Sequence, residues 1–285
     1  MAQLTWLITA TTSGLGVALF EHLVSRGGRI IATGRGAERR LAHLKSDNVA
    51  VLDLDVTSSQ STIVRLLAPF SHFSRLVRLT SLKNEEFTRD LFNVNFFGTL
   101  QVTQQRGTIA FTGAGPVWAP LPFLSHYAAS KAALTIFGEA LSKEVSAFDI
   151  RCVVFGPGGF VSQLGVPRKG SAEGFAVYQP AIDDYKPLFR EMMKVFATEI
   201  GPNIPGDVNK LSECIVDSVK GEGLFAGRPS ELRVILGPDS LSLIQQKCRE
   251  QLKLVDEGEP ISLSTDSPSQ KGRGSDIMGD KGLYQ

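Results

Sequence analysis

The sequence predicts a single α/β domain, in which a doubly wound parallel sheet is covered by helices on both faces. Short apolar runs alternate with amphipathic segments, a pattern that is typical of strand–helix–strand crossover units. The chain has 285 residues and is 42% hydrophobic, which is enough to build one large core. A glycine-rich turn also joins the first apolar run to the first amphipathic segment.

The individual elements follow from where apolar runs begin and where they stop. Gly27 and Gly28 end the first helix, and Asp207 is placed to cap a helix near the C-terminus. The predicted strands span residues 4–9, 29–34, 49–54, 76–80 (weak), 108–112, 150–155 and 232–236. The predicted helices span residues 14–26, 37–45, 127–145, 208–219 and 241–254, with further helices on either side of the weak strand.

We expect residues 1–256 to form the domain and residues 257–285 to form a C-terminal tail. The tail is polar after about Asp266, and we expect it to be disordered from there. Residues 160–205 are predicted to form a lid over an apolar substrate, or alternatively the core of ordinary amphipathic helices. The large apolar side chains that suggest the lid are Phe175, Tyr178, Tyr185, Phe189, Met192, Met193 and Phe196.

Composition excludes several functional classes. The net charge of +1 gives no electrostatic reason to expect nucleic-acid binding. The three cysteines and four histidines are scattered, which argues against a disulfide framework or a metal site and favours a reducing compartment. No apolar run reaches the roughly 18 residues of a membrane span, and the first strand begins too early for a signal peptide. We therefore expect a cytoplasmic protein.

The turn over residues 9–16 is the predicted phosphate-binding end of a Rossmann-type domain. Its glycines allow the backbone to approach a pyrophosphate closely, and the helix that follows offers free N–H groups and a positive dipole end. The alternative is a turn with a purely structural role. The residues predicted to bind the cofactor here are Thr9, Thr12, Gly14, Leu15 and Gly16.

The end of the second strand predicts which cofactor binds. An acid at this point would bind the 2′-hydroxyl of the adenosine ribose, whereas an arginine suits a 2′-phosphate. The strand ends at Gly34-Arg35 without an acid, so Arg35 favours NADP(H) over NAD(H). The alternative is an arginine that is merely solvated. Asp55 follows the third strand, where its carboxylate can accept a hydrogen bond from the adenine amino group.

Together these residues resemble the short-chain dehydrogenase/reductase family, and the resemblance extends to about Asp266. The family's glycine motif is Thr-Gly-x-x-x-Gly-x-Gly, and its Tyr-x-x-x-Lys signature matches Tyr127 and Lys131. Asn95 matches the family's catalytic asparagine. Val161 and Ser162 follow a Pro-Gly segment whose Thr/Ser contacts the nicotinamide carboxamide in the family.

The C-terminal part carries the resemblance further. The segments Pro205-Gly206-Asp207, Leu236-Gly237-Pro238-Asp239 and Leu263-Ser264-Thr265-Asp266 are similar to fungal-type and hydroxysteroid-dehydrogenase-like members. Fungal members with this pattern often serve secondary-metabolite pathways. The resemblance implies a small carbonyl or alcohol substrate and a homodimer.

Tyr127 and Lys131 are four residues apart and therefore share one face of a helix. A tyrosine has a pKa near 10, and a neighbouring ammonium lowers that pKa towards neutrality. The resemblance assigns proton transfer with the substrate oxygen to Tyr127. It assigns to Lys131 the lowering of that pKa and a bond to the nicotinamide ribose, and it assigns to Asn95 a water chain that feeds Lys131.

Four positions depart from the family pattern. Ala10 replaces the first glycine of the motif, which is tolerable if its backbone keeps a negative φ. Ala114 stands where the family has its catalytic serine, and Thr112 or Ser125 would have to substitute for it. The Asn-Asn-Ala-Gly motif of the fourth strand is missing. The helix after Asn95 is shortened, which puts the homodimer in doubt.

Two functions from different classes remain open at this point. The first is an NADP(H)-dependent oxidoreductase that interconverts a ketone and a secondary alcohol on an apolar small molecule. The second is a catalytically impaired NADP(H)-binding or scaffold protein that descends from such reductases. The missing Asn-Asn-Ala-Gly motif and the shortened helix both resemble internal deletions. A chain made unstable by these two deletions is a third alternative.

Overall fold

The computed structural model describes residues 4–70, 75–77, 92–93, 107–161, 180, 183–228 and 231–267. Within these residues, seven strands form one sheet in the order β3-β2-β1-β4-β5-β6-β7, and every pairing is parallel. The strands are β1 (Thr5–Ile8), β2 (Arg29–Gly34), β3 (Val49–Asp53), β4 (Arg75–Val77), β5 (Gly107–Thr112), β6 (Ile150–Pro157) and β7 (Arg233–Leu236). The predicted doubly wound α/β fold is confirmed.

The helices connect and cover these strands. They are α1 (Gly14–Ser25), α2 (Ala37–Arg40), α3 (Gln60–Leu67), α4 (Ser125–Val145), α5 (Lys186–Val195), α6 (Val208–Lys220) and α7 (Pro238–Ser264). Asp207 caps α6 as predicted, because its side chain accepts hydrogen bonds from the backbone N–H groups of Asn209 and Lys210.

The helix predicted over residues 37–45 is wrong in its extent. After the single turn of α2, Leu41 leaves the helical conformation with φ −114° and ψ 12°, and a separate 3₁₀ turn covers Ala42–Leu44. The Leu41 side chain is buried against the core. Burial of this apolar side chain therefore accompanies the break in the helix.

Alternation along the strands explains why both faces of the sheet are covered. Ile8, Ala110 and Phe155 point to the face on which α1 and α6 pack. The intervening residues point to the other face, where Leu7 meets α3 and Phe111 meets α4. Strands with apolar side chains on both faces are typical of a buried parallel sheet.

The chain order places the candidate site. The strands run outwards from β1 to β3, and the chain then crosses back so that β4 pairs with β1 on its other side. Ligands of open α/β sheets bind beyond the carboxyl ends of the strands at such a reversal. β4 is observed at Arg75–Val77, so it covers only the start of the predicted strand, and residues 78–80 lie outside the described residues.

The chain divides into two compact units, residues 1–242 and residues 243–285. The first unit contains the whole described sheet. The second is described up to residue 267 and consists mainly of the later turns of α7. This helix extends to Ser264 rather than to the predicted Leu254, and an ion pair between Lys253 and Glu257 at 3.6 Å supports its added turns.

Two features are absent from the described residues. Among them, none of the helices combines the length and the apolar character needed to span a membrane. The same residues contain no cluster of three or more His, Cys, Asp or Glu side chains that could hold a metal ion.

Candidate active site

The turn after β1 brings backbone unusually close to α1. Gly14 has φ +57°, a left-handed conformation that favours glycine. A Cβ on Gly16 would overlap the carbonyl oxygen of Ala10, so only glycine allows α1 to start this close to the strand. The predicted need for glycine at both positions therefore has a clear steric basis.

The backbone of Ala10 does not have the negative φ that the sequence analysis assumes. Its replacement of a glycine was expected to be harmless provided that its φ stayed negative, but its φ is +56°. A left-handed backbone costs an L-residue with a Cβ about 1–2 kcal/mol. The turn therefore holds a strained alanine at the position where the family has glycine.

The N-terminus of α1 is suited to an anion. Ser13, the N-cap residue, has an extended backbone and makes no side-chain capping bond, and the first turn carries no acidic residue. The free N–H groups and the helix dipole therefore favour a phosphate at this end. Thr11 anchors the turn from below, because its N–H and hydroxyl both donate to the Thr33 carbonyl, at 3.0 and 3.1 Å.

The other residues of the turn differ in exposure. Thr9 is buried and supports the turn from inside the fold, whereas Thr12 is partly exposed. Leu15 is partly buried and packs against the core below α1. Only the backbone of Leu15 is therefore placed to meet a cofactor.

The adenosine end of the predicted site lies where this turn meets β2. A Cβ on Gly34 would lie 3.4 Å from Cγ2 of Thr12, so the turn and the strand end are in contact. Arg35 follows directly and is exposed. Arg40 reaches back from α2, and its Nη2 donates to the Thr12 carbonyl at 2.7 Å. No local sequence pattern indicates this second arginine contact, because it joins residues 28 positions apart.

Two carboxylates lie near the same end. Asp53 ends β3 beside Gly34, and its Oδ1 accepts a hydrogen bond from the Glu38 N–H at 2.8 Å. Asp55 accepts from both the N–H and the hydroxyl of Thr57, at 2.9 and 2.7 Å. Both Thr57 bonds end at Oδ1, so Oδ2 of Asp55 keeps the capacity to accept from an adenine amino group.

The predicted catalytic pair, Tyr127 and Lys131, lies in the first two turns of α4. Lys131 is only 4% exposed, and its Nζ donates to the Thr112 carbonyl at the end of β5, at 2.8 Å. Burial raises the pKa of Tyr127 to about 12. The shift runs opposite to the lowering that the sequence predicted from a neighbouring lysine, because removal of the phenol from water dominates.

Ala114 occupies the turn after β5, where the family serine was expected. It is 6% exposed and lines a small cavity together with Trp118, Thr135 and Arg233. Neither suggested substitute is well placed. The Thr112 hydroxyl is fully buried without a partner among the described residues, so a substrate cannot reach it. Ser125 is two residues from Tyr127 on α4 and therefore faces another direction.

The segment after β6 forms the opposite wall. Gly159 lies between two anchors, because its N–H donates to Oδ2 of Asp239 at 2.6 Å and its carbonyl accepts from the Gly206 N–H at 3.1 Å. Val161 follows and is 64% exposed at the edge of the sheet. Two predicted site residues, Asn95 and Ser162, lie outside the described residues, as does the segment after Asn95 that is predicted to form a shortened helix.

An aromatic cluster lies close to Tyr127 along the chain. Phe123 has φ +64°, a rare conformation for a bulky residue, and its ring packs edge-on against Phe189 of α5 at 5.2 Å. Tyr185 packs against the same ring at 6.4 Å. The predicted lid thus contacts the loop that leads into α4. Phe175 and Tyr178 lie outside the described residues.

Comparison with known proteins agrees with the observed fold. The family model described as "short chain dehydrogenase" matches residues 5–170, more than half of the chain. This chain belongs to the short-chain dehydrogenase family, which is a family of oxidoreductases.

Two relatives carry names that concern steroids. An Arabidopsis thaliana protein named 11-beta-hydroxysteroid dehydrogenase 1A is 25% identical over 274 residues, covering 85% of this chain and 74% of that protein. The mouse (Mus musculus) protein named estradiol 17-beta-dehydrogenase 2 is 25% identical over 245 residues, covering 75% of this chain and 59% of that protein.

Solved structures share the fold. A short-chain dehydrogenase from Streptomyces avermitilis has a TM-score of 0.74 at 24% identity, covering 93% of this chain and 100% of that one. A Burkholderia cenocepacia relative in complex with NADP has a TM-score of 0.63 at 18% identity, covering 89% and 96%. A Burkholderia phymatum relative in complex with NAD has a TM-score of 0.66 at 15% identity, covering 94% and 99%. Because these neighbours include both NADP and NAD complexes, the shared fold leaves the choice of cofactor to particular residues.

The strain at Ala10 predicts that Ala10→Gly stabilises the protein. Relief of the left-handed alanine outweighs the extra backbone entropy of glycine in the unfolded chain, for a net gain of about 1 kcal/mol. Urea unfolding followed by circular dichroism measures this difference. Ala140→Gly on the exposed face of α4 is the matched control and should destabilise by about 1 kcal/mol. Destabilisation in both variants would contradict the assignment of strain.

Proposed function

We propose that this protein is an NADP(H)-dependent oxidoreductase that interconverts a ketone and a secondary alcohol on a fairly apolar small molecule. The observation that carries the proposal is the placement of Tyr127 and Lys131. They share α4, and the Lys131 ammonium is held at the carboxyl end of β5, one strand away from the reversal point of the sheet. The same edge of the sheet carries the glycine turn.

The residues present fit a dinucleotide. The space left by the missing Cβ of Gly16 and the uncapped start of α1 suit a pyrophosphate. Arg35 would bind a 2′-phosphate, and Asp55 the adenine amino group. Val161 and Ser162 would hold the nicotinamide carboxamide, and Lys131 would hold its ribose. When bound, this cofactor supplies or accepts the hydride.

The protein itself manages the proton. In the direction of reduction, the Tyr127 phenol donates its proton to the substrate oxygen as that oxygen gains charge. In the direction of oxidation, the phenolate accepts the proton of the alcohol. Because burial raises the pKa of Tyr127 to about 12, the phenol keeps its proton at neutral pH and is ready for reduction. Asn95 is proposed to feed Lys131 through water.

The substrate class is suggested by the lid. Phe123, Tyr185 and Phe189 form an apolar, aromatic junction between the lid and the loop before Tyr127. The relatives named for steroids support a ketone of steroid, terpenoid or polyketide type. A homodimer, a cytoplasmic location and a role in secondary metabolism stay predictions.

One observation favours the second candidate function, a catalytically impaired NADP(H)-binding protein. Ala114 provides no hydroxyl at the position where the family serine binds the substrate oxygen. Loss of one such donor costs about 2.7–4 kcal/mol of transition-state stabilisation in other enzymes. Cofactor binding without turnover, unaffected by Tyr127→Phe, would support this alternative.

Cofactor choice is tested by titrating the protein with NADPH and NADH and following cofactor fluorescence. We expect Arg35→Ala to weaken NADPH binding by roughly 10- to 100-fold, the value of a charged hydrogen bond, and to leave NADH binding unchanged. Arg249→Ala, on the exposed face of α7, is the control and should change neither affinity. Equal loss of both cofactors in Arg35→Ala would count against recognition of the 2′-phosphate.

The role of Ala114 is tested by Ala114→Ser. The substitution supplies a hydroxyl at the position where the family has its serine, so we expect kcat with NADPH and apolar ketones to rise by roughly 100- to 1,000-fold. Tyr127→Phe in the same background should remove the gain, whereas Ser125→Ala should not. Absence of turnover in a folded Ala114→Ser variant that still binds NADPH would favour the non-catalytic alternative.

The raised pKa of Tyr127 predicts how the two directions depend on pH. Reduction requires the protonated phenol, so its rate should stay flat between about pH 6 and about pH 10 and fall only as the pH approaches the pKa of about 12. Oxidation requires the phenolate, so its rate should rise about tenfold per pH unit over the same range. Initial rates in both directions measure this. A fall in the reduction rate near neutral pH would mean that Lys131 lowers the pKa after all.

A further inference from the structure

Asp239, which belongs to the first unit, connects the start of α7 to the segment after β6. It lies in the first turn of α7, directly after β7 and Gly237. Its Oδ2 accepts a hydrogen bond from the Gly159 N–H at 2.6 Å, between residues 80 positions apart in sequence. A hydrogen bond to a carboxylate is stronger than one between neutral groups. The C-terminal part of the chain therefore holds the backbone of the predicted nicotinamide segment.

The contact leaves no space for side chains around the carboxylate. A Cβ on Gly158 would overlap the carboxylate of Asp239, and one on Gly159 would lie 3.3 Å from Oδ2. Gly237 has φ +103°, and a Cβ there would lie 2.8 Å from Oδ1. The three glycines thus form a recess in which the carboxylate sits directly against backbone.

Neighbouring contacts fix the same segment from other directions. The Ser240 side chain is fully buried, and its hydroxyl donates to the Gly156 carbonyl at 3.1 Å. A Cβ on Gly115 would lie 3.6 Å from both the Ser240 hydroxyl and the Cα of Gly158. The turn that carries Ala114 therefore packs on the segment that Asp239 holds. The contacts of Asp239 and Ser240 therefore fix the segment after β6, against which the turn that carries Ala114 packs.

Fold stability alone does not account for a carboxylate at this place. Its second oxygen, Oδ1, is buried and has no hydrogen-bond partner among the described residues. A buried acceptor without a partner destabilises the folded state, and such exceptions in native proteins call for a functional explanation. The hydrogen bond that Oδ2 accepts from the Gly159 N–H supplies that explanation, because it fixes the backbone directly before Val161.

We propose that Asp239 is a positioning residue for the nicotinamide half of the cofactor. It acts through Gly158 and Gly159 on the backbone that leads to Val161, and it contacts no reacting atom itself. This inference rests on the proposed function, because it concerns the cofactor assigned there. The adenosine half would be held by the turn after β1 and by Arg35, which share no described contact with Asp239.

That separation gives the test. The full-length protein and its Asp239→Ala variant are titrated calorimetrically with NADPH and with 2′,5′-ADP, which carries the adenosine half and lacks nicotinamide. We expect Asp239→Ala to weaken NADPH binding about tenfold, equivalent to about 1.4 kcal/mol, and to leave 2′,5′-ADP binding unchanged. Asp239→Asn keeps an acceptor oxygen and should restore most of the NADPH affinity.

Two further variants keep the test decisive. Asp239→Glu retains the charge but adds a methylene where Gly158 leaves no room, so it should weaken NADPH selectively even if Asp239→Ala fails to fold. Asp217→Ala removes an ion pair to Arg26 at 2.9 Å in another part of the unit, and it should change neither affinity. Thermal unfolding of each variant shows whether it is folded.

The outcomes separate this inference from the proposed function. Selective loss of NADPH affinity in the Asp239 variants supports the positioning role. Equal loss of both ligands, or no loss of either in a folded variant, overturns that role while the proposed cofactor stands. A wild-type protein that binds neither ligand overturns the proposed function and the positioning role with it.

Discussion

The parallel direction of the strands is the constraint on which the rest of this structure depends. Because every described pairing is parallel, the carboxyl ends of the strands lie at one edge of the sheet. The turn after β1, Arg35 after β2, Thr112 at the end of β5 and Gly159 after β6 therefore all lie along this edge. The reversal between β1 and β4 opens a crevice at that edge, where a dinucleotide binds in folds of this type. Helices cover both faces of the sheet and exclude water from them, so a ligand reaches the sheet at this edge and not through its faces.

Three long-range hydrogen bonds fix the loops at this edge. The Arg40 side chain donates to the Thr12 carbonyl, the Lys131 ammonium donates to the Thr112 carbonyl, and the Asp239 carboxylate accepts from the Gly159 N–H. In each case a charged side chain on a helix bonds to backbone at the carboxyl end of a strand or in the loop that follows it. Bonds of this kind are worth more than neutral ones and direct the loop at the same time. The positions of these backbone segments are thus fixed by side chains that lie far away in the sequence.

Two alanines give the site its particular character. Ala10 carries backbone strain in the cofactor turn, and Ala114 leaves the turn after β5 without a hydroxyl. Both lie at the carboxyl edge, and neither disturbs the packing of the sheet beneath, since Ile8, Ala110 and Phe155 remain fully buried there. The sheet is therefore packed in the same way beneath both alanines, and Tyr127 and Lys131 lie together on α4.

The sequence by itself determined the fold class, the order of most elements and the glycine turn. Apolar alternation and glycine positions depend on local geometry, so β2 was predicted with its observed bounds and α1 to within a residue. Family signatures located Tyr127 and Lys131 on one helix for the same local reason. Tertiary structure alone decided the φ of Ala10, the direction of the Tyr127 pKa shift, and the contacts of Arg40 and Asp239. Each of these depends on atoms brought together from distant parts of the chain, and no local pattern encodes such distances.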